Sequence, residues 1–178
     1  MAELPTSAYA ILGLLTFGEQ SGYDLQKFVE TSVGHFFDPA KSQIYSELKR
    51  LVAAGFATER HVAQNDRPDK RLFSVTSEGE RALRAWLAAE PGEEAFRSPF
   101  LLHVFFGHLM DPEVLKAQIR EHRRRAAETL AELRAIEKDI KDSEVARFPY
   151  FTLRAGLSNC RHVIKWADEV LKEMEVTP

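Results

Sequence analysis

A mainly α-helical fold in two parts follows from three features of the sequence. Residues 38–76, DPAKSQIYSELKRLVAAGFATERHVAQNDRPDKRLFSVT, show apolar residues at helical spacing, then two strand-like runs around a polar, basic tip. Two shorter apolar stripes at helical spacing lie upstream of it. Two much longer stripes, spaced by fours and threes, fill most of the chain after Pro112. A helix pair whose second member runs straight into a two-stranded β-wing is the layout of a winged helix-turn-helix, and the two long stripes are the layout of a long-helix hairpin.

Each element has its own signal. Ala8, Ile11, Leu12 and Leu15 form the stripe of a first helix opened by Thr6 or Ser7. Ser21-Gly-Tyr-Asp24 fits a capping box, with Asp in place of the commoner Glu, and starts a second helix through Leu25, Phe28 and Val29. A short link around His35–Asp38 leads to the third. There Asp38 is the expected N-cap and Pro39 the first helical residue, where a missing N–H is harmless. Ile44, Leu48, Leu51 and Val52 mark its buried face, with Ser42, Ser46, Lys49 and Arg50 opposite, and Gly55 is the stop. Phe56–Ala63 and Leu72–Val75 read as the two wing strands. Thr76-Ser-Glu-Gly-Glu80 opens a fourth helix with Leu83, Trp86 and Leu87 on its apolar side.

The run AAEPGEEAF, residues 88–96, reads as a linker, so the domains are expected at 1–90 and 91–178. An aromatic segment from Phe96 to Leu109 follows, then Asp111-Pro112, an N-cap with proline in the first turn. The long helix after it carries a heptad-like seam of Leu115, Ile119, His122, Ala126, Thr129, Leu133, Ile136 and Ile140, with Leu130 adjoining. A break at Arg147–Tyr150 separates it from a last helix striped by Leu153, Leu157, Cys160, Ile164, Ala167, Leu171 and Met174. Two helices alone leave wide stripes uncovered. A homodimer is therefore expected, through Leu115, Ile119, Ala126, Leu130, Leu133, Leu157, Ile164 and Leu171, the alternative being that the two helices pair within the chain without a dimer.

Composition narrows the function classes. The chain has 178 residues, 44% hydrophobic and 29% charged, with a formal net charge of −3. One cysteine, Cys160, excludes an intrachain disulfide framework and fits a reducing interior. The first residues lack a cationic n-region, and Phe100–Leu109 is too short and too histidine-broken to span a bilayer; a cytoplasmic protein without membrane contact is expected. No Gly-rich phosphate loop, nucleophile elbow or paired-histidine helix is present, so neither an enzyme nor a cofactor is expected. The six histidines are scattered, which argues against a metal site.

The cations are unevenly placed. Between 41 and 71 there are seven (Lys41, Lys49, Arg50, Arg60, Arg67, Lys70, Arg71) against four anions (Glu47, Glu59, Asp66, Asp69), a local balance of +3 in an acidic chain. Double-stranded DNA is the partner this suits. Ser42, Gln43 and Ser46 are expected to reach base edges, Gln43 being suited to adenine. Lys49 and Arg50 are expected on phosphates, and Tyr45 to stand half in the core with its hydroxyl outside. Arg67 enters a minor groove or rests on the backbone, and Pro68 stiffens the tip beside it. The same fold also docks proteins, so an interaction adaptor that ignores DNA is the alternative.

The order AILGLL, SGYDL, FFDPAKSQIYSELKRLVAAGF and KRLFSVTSEGERALRAWL resembles the PadR-like transcriptional regulators. FRSPFLLHVFF and RAGLSNCRHVIKWADEVL are similar to the longer branch of that family, so the resemblance spans nearly the whole chain. It implies a dimeric winged-helix repressor joined through its C-terminal helices, with a small molecule, often aromatic or phenolic, that loosens DNA binding. Tyr45 matches the tyrosine of the family's recognition helix, and Arg67, Lys70 and Arg71 match its basic wing. For an effector, Phe100, His103 and Phe105, with Tyr150 beside Phe148 and Phe151, are the expected contacts, two aromatic clusters flanking the junction of the two parts.

Overall fold

The computed structural model describes residues 4–62, 70–92 and 97–176. The chain divides into two compact units, residues 1–93 and 94–178. Ala63, Asp66, Arg67, Pro68, Asp69 and Phe96 lie outside the described residues.

The first unit is built on helix α1 (Thr6–Leu15), whose Ala8, Ile11, Leu12 and Leu15 are buried as their spacing predicts, with Leu14 beside them. Strand β1 (Gln20–Ser21) leads into α2 (Gly22–Thr31), and the capping box is formed: Asp24 N–H donates to Ser21 Oγ while Ser21 N–H donates to Asp24. A 3-10 turn over Val33–His35 connects to α3 (Lys41–Ala53). Ile44, Leu48 and Leu51 bury their side chains against α1 and α2, so the two stripes on α1 and α3 close on each other.

The wing follows as β2 (Ala57–Val62) and β3 (Lys70–Val75), antiparallel, with Ala57 opposite Val75 and Val62 opposite Lys70. Phe73 turns into the core between neighbours that are more open, the alternation expected of a sheet with one wet face. Then comes α4 (Ser77–Ala88), capped by Thr76, whose hydroxyl accepts from Gly79 N–H and donates to Gly55 O.

Three local expectations need correction. Asp38 is not the N-cap of α3. The helix starts at Lys41, its cap position is Ala40 without a side-chain hydrogen bond, and Pro39 lies before it. The wing has a third strand: Gln20 and Ser21 pair with Phe73 and Leu72, giving the order β1-β3-β2. Leu87 is exposed rather than buried; Trp86 stays partly covered because it stacks on Tyr9 at 4.8 Å.

In the second unit α5 (Pro99–Phe105) begins on Ser98, whose hydroxyl accepts from Leu101 N–H. A 3-10 turn over Gly107–Leu109 leads to α6 (Pro112–Ile140), capped by Asp111 as its Asp-Pro start predicts. The last helix, α7 (Arg147–Val176), takes in Arg147–Tyr150, where a break was expected; the break falls at residues 141–146 instead. Pro149 sits in its first turn, where no N–H is needed. The helices α6 and α7 pair along Leu130, Leu133, Leu153, Leu157 and Cys160 in one cluster, and along Leu115, Ile119 and Ala167 in another.

Gly55 ends α3 as expected. Its φ of 76° places it in the left-handed region, its N–H donates to Val52 O and that of Phe56 donates to Leu51 O, which is a Schellman motif. Gly55→Ala keeps the fold and lowers its stability by about 1–2 kcal/mol, the cost of a left-handed residue with a Cβ; the drop is read as an earlier urea midpoint with an unchanged slope.

Candidate nucleic-acid interface

Helix α3 has two faces with different employment. Ile44, Glu47, Leu48 and Leu51 are buried. Lys41, Ser42, Gln43, Tyr45, Ser46, Lys49 and Arg50 are all exposed, so every site residue expected on this helix lies on the open side. Ser46 spends its hydroxyl on the helix itself, donating to Gln43 O at 2.9 Å. Ser42 and Gln43 keep their side-chain polar groups without a partner among the described residues.

Glu47 is the residue that the charge pattern missed. It is 3% exposed and accepts a hydrogen bond from Ser7 Oγ on α1 at 2.8 Å. Its other oxygen lies 3.1 Å from Arg50 Nε, an ion pair without the alignment of a hydrogen bond. The signal was available: 44, 47, 48 and 51 are one helical stripe, and a carboxylate inside such a stripe requires partners.

The described cations of the wing are held by carboxylates. Lys70 Nζ lies 2.9 Å from Asp24 Oδ2, and Arg71 Nη1 lies 3.3 Å from Glu59 Oε1, which His61 also approaches at 3.3 Å. Arg60 donates to both oxygens of Glu19, at 3.2 and 2.5 Å. That pairing holds the Glu19 carboxyl below its usual range, the hydrogen bond being the larger cause. By contrast, Lys41 and Lys49 have no ion pair among the described residues.

Tyr45 is 40% exposed, and its ring lies against Gly22 at the start of α2. Helix α2 is in turn fixed to the sheet through β1 and through the Lys70–Asp24 pair. One short segment therefore touches the capping box, the wing base and the tyrosine.

The residues expected to dimerise are placed differently from the expectation. Leu115, Ile119, Leu130, Leu133 and Leu157 are buried between α6 and α7 of the same chain, which leaves almost no surface of theirs to a second copy. Ala126, Ile164 and Leu171 are half-buried at the edges of that seam. The effector residues do not converge within the chain either. Phe100 stacks on His122 at 4.1 Å and meets Trp166 edge-on at 5.9 Å. Burial there, with Arg125 nearby, holds the His122 imidazole below its ordinary value. His103 bonds Gln118 at 3.0 Å, and Phe105 is 76% exposed. Tyr150 donates to Glu137 at 3.2 Å further along the hairpin, about 24 Å of helix from Trp166 at a rise of about 1.5 Å per residue.

A helix-turn-helix whose third helix exposes its polar face, followed by a β-wing and joined to a long-helix unit, defines the winged-helix class of transcription factors. The family model described as the transcriptional regulator PadR-like family matches residues 11–85, and that described as virulence activator alpha C-term matches residues 96–175. The negative transcriptional regulator PadR of Bacillus subtilis is 29% identical over 171 residues, covering 92% of this chain and 94% of that protein. Its crystal structure with operator DNA matches with a TM-score of 0.85 at 28% identity, over 96% of this chain and 99% of that one. Its crystal structure with p-coumaric acid matches at 0.77 and 26%, over 98% and 99%. The crystal structure of smu.1604c from Streptococcus mutans UA159 matches at 0.81 and 30%, over 93% and 98%. The chain belongs to the PadR-like family of transcriptional regulators. No helix among its described residues is long and apolar enough to cross a membrane.

The Asp24 carboxyl is held below its ordinary value of 3.8, first by the hydrogen bond from Lys70 and then by that from Ser21. A depressed carboxyl stabilises the fold above the unfolded-state value and stops doing so as pH falls through the folded one. The urea midpoint of the first unit therefore falls as pH drops below 3.8. In Asp24→Asn, which keeps a capping oxygen, that fall is shallower by about 0.2–1 kcal/mol, the scale of an exposed pair.

Proposed function

We propose that the protein is a dimeric, sequence-specific DNA-binding repressor, with residues 1–90 reading DNA and residues 91–178 holding the dimer and answering a small aromatic ligand. The observation that carries this is the open face of α3. Seven polar or amphipathic side chains from Lys41 to Arg50 stand outside while the opposite stripe is locked in the core. That is the arrangement a helix needs to enter a major groove. Operator DNA bound to the Bacillus subtilis relative supports the partner, and p-coumaric acid bound to it supports the effector class.

Among the contacts, Gln43 and Ser42 suit base edges, and Lys41 and Lys49 suit phosphates because no carboxylate occupies them among the described residues. Lys70 and Arg71 first have to leave Asp24 and Glu59. Arg67 remains proposed for the wing tip. For the effector, the Phe100–His122–Trp166 cluster is the better-formed site; His103 bonds Gln118, Phe105 is exposed and lies edge-on to Phe106, and Tyr150 belongs elsewhere on the hairpin. The dimer contacts pass from the seam to apolar groups that the chain leaves open, Leu102, Phe105, Phe106, Phe148 and Phe151, with Ala126, Ile164 and Leu171 at the rim.

A duplex selected by the wild-type protein from a random library tests the DNA reading. Lys41→Ala and Lys49→Ala each reduce the slope of log K against log salt by roughly 1, whereas Arg71→Ala reduces it by less, since its charge is already partly met. Failure to enrich any duplex sinks the repressor reading and favours a protein-docking adaptor.

The assembly has a separate test. Phe151→Glu keeps the helical circular dichroism of the wild type and shifts the sedimentation equilibrium at micromolar concentration from dimer to monomer. Leu133→Glu instead melts the hairpin, because it buries an unpaired charge in the seam. A wild-type monomer under these conditions removes the dimer from the proposal.

A further inference from the structure

The glycine that opens α2 is not there for its backbone freedom. Positive φ occurs at Gly18 and Gly55, and Gly22 has an ordinary helical conformation. Glycine in a helix carries an entropic penalty that alanine avoids, so Gly22 needs another reason. The reason is visible in what a Cβ would meet. It would lie 2.5 Å from Cε1, 3.0 Å from Cζ and 3.1 Å from Cδ1 of Tyr45, all on one edge of the ring, and no backbone atom is among these nearest contacts. Gly22 itself is buried, and the ring above it is what covers it.

We infer that Gly22 is a positioning residue for Tyr45: bare backbone at the first turn of α2 forms the seat that sets where the tyrosine of α3 presents its hydroxyl. The inference rests on the reading of α3 as the DNA-facing helix. The seat is firm. Ser21 and Asp24 close the capping box around it, Ser21 pairs with Leu72 of the sheet, and Asp24 holds Lys70. The Tyr45 ring, in contrast, is 40% exposed, so it has solvent to move toward when a Cβ is added at position 22. A methyl group at position 22 therefore moves the ring and leaves the fold in place. A seated tyrosine meets DNA with its rotamer already fixed, which removes part of the ordering entropy of binding.

The test is a double-mutant cycle on the library-selected duplex, with wild type, Gly22→Ala, Tyr45→Ala and both changes together. Gly22→Ala and Tyr45→Ala each raise Kd about tenfold, the scale of one hydrogen bond to a charged group. In the Tyr45→Ala background, Gly22→Ala changes Kd less than about twofold, because the two act as one unit. In that background it also melts at the same or a higher temperature, alanine having less chain entropy to lose. A Gly22→Ala penalty that persists without the tyrosine overturns the inference, as does a Tyr45→Ala variant that binds like wild type. A DNA-independent readout separates this from the proposed function. The wild type shows a nuclear Overhauser contact between Gly22 Hα and the Tyr45 ring, which Gly22→Ala abolishes while retaining the wild-type melting cooperativity. Absence of that contact in the wild type overturns the seat whether or not DNA binds.

Discussion

Helix α3 is gripped along one stripe, and the polar point in that stripe is the Glu47 carboxylate. Taking a carboxylate out of water costs several kcal/mol, and an apolar residue would fill the same volume without that cost. What an apolar residue would not do is fix a position. Leucine and isoleucine stripes tolerate small slides along each other, since their attraction is nondirectional. A 2.8 Å hydrogen bond from Ser7 tolerates much less and sets the register of α3 on α1. The second oxygen then holds Arg50 on the outer rim. One buried group thus ties the packing of the first unit to the placement of the residues that face outward, which is how a binding surface acquires fixed geometry from a scaffold.

Most of that unit was legible, because its signals are local and agree with one another. Apolar stripes gave α1 and α3, Ser21 and Asp24 gave the capping box, and Gly55 gave the stop. The failures have a shared cause, which is dependence on tertiary partners. Strand β1 is two residues long and exists because Phe73 and Leu72 pair with it. Asp38-Pro39 carries every mark of a helix start, yet the chain uses those residues to leave the 3-10 turn and begins hydrogen bonding at Ala40, whose carbonyl accepts from Gln43 and Ile44. Cap preferences are worth about 1 kcal/mol, too little to outweigh where the core needs Ile44 and Leu48.

In the second unit, spacing told which residues are buried but not what buries them. A seam repeating by fours and threes suits an antiparallel neighbour in the same chain as well as a helix from another copy. The hairpin satisfies its own seam, and Leu115, Leu133 and Leu157 disappear into it. The apolar side chains left over fall at positions the heptad frame had not favoured, such as Phe105 and Phe148. Phe100 and Tyr150 look alike in sequence, but the antiparallel course of α6 and α7 sends them to separate stations, one on Trp166 and the other on Glu137.

The wing cations raise a question of electrostatics that a charge count conceals. Lys70, Arg71 and Arg60 are each held by a carboxylate in the free protein, so the excess of +3 read from the sequence is not all available to a polyanion. Phosphate can displace a carboxylate only by giving a stronger pair, and it does so along a duplex, where several phosphates present themselves at fixed spacing. A stray anion gains little from opening one such pair, since the exchange is nearly neutral. Lys41 and Lys49 are exposed and have no ion pair among the described residues, whereas Lys70 and Arg71 are met by Asp24 and Glu59. In a chain with a net charge of −3, such pairing lowers the positive charge that the described part of the wing offers to a stray polyanion.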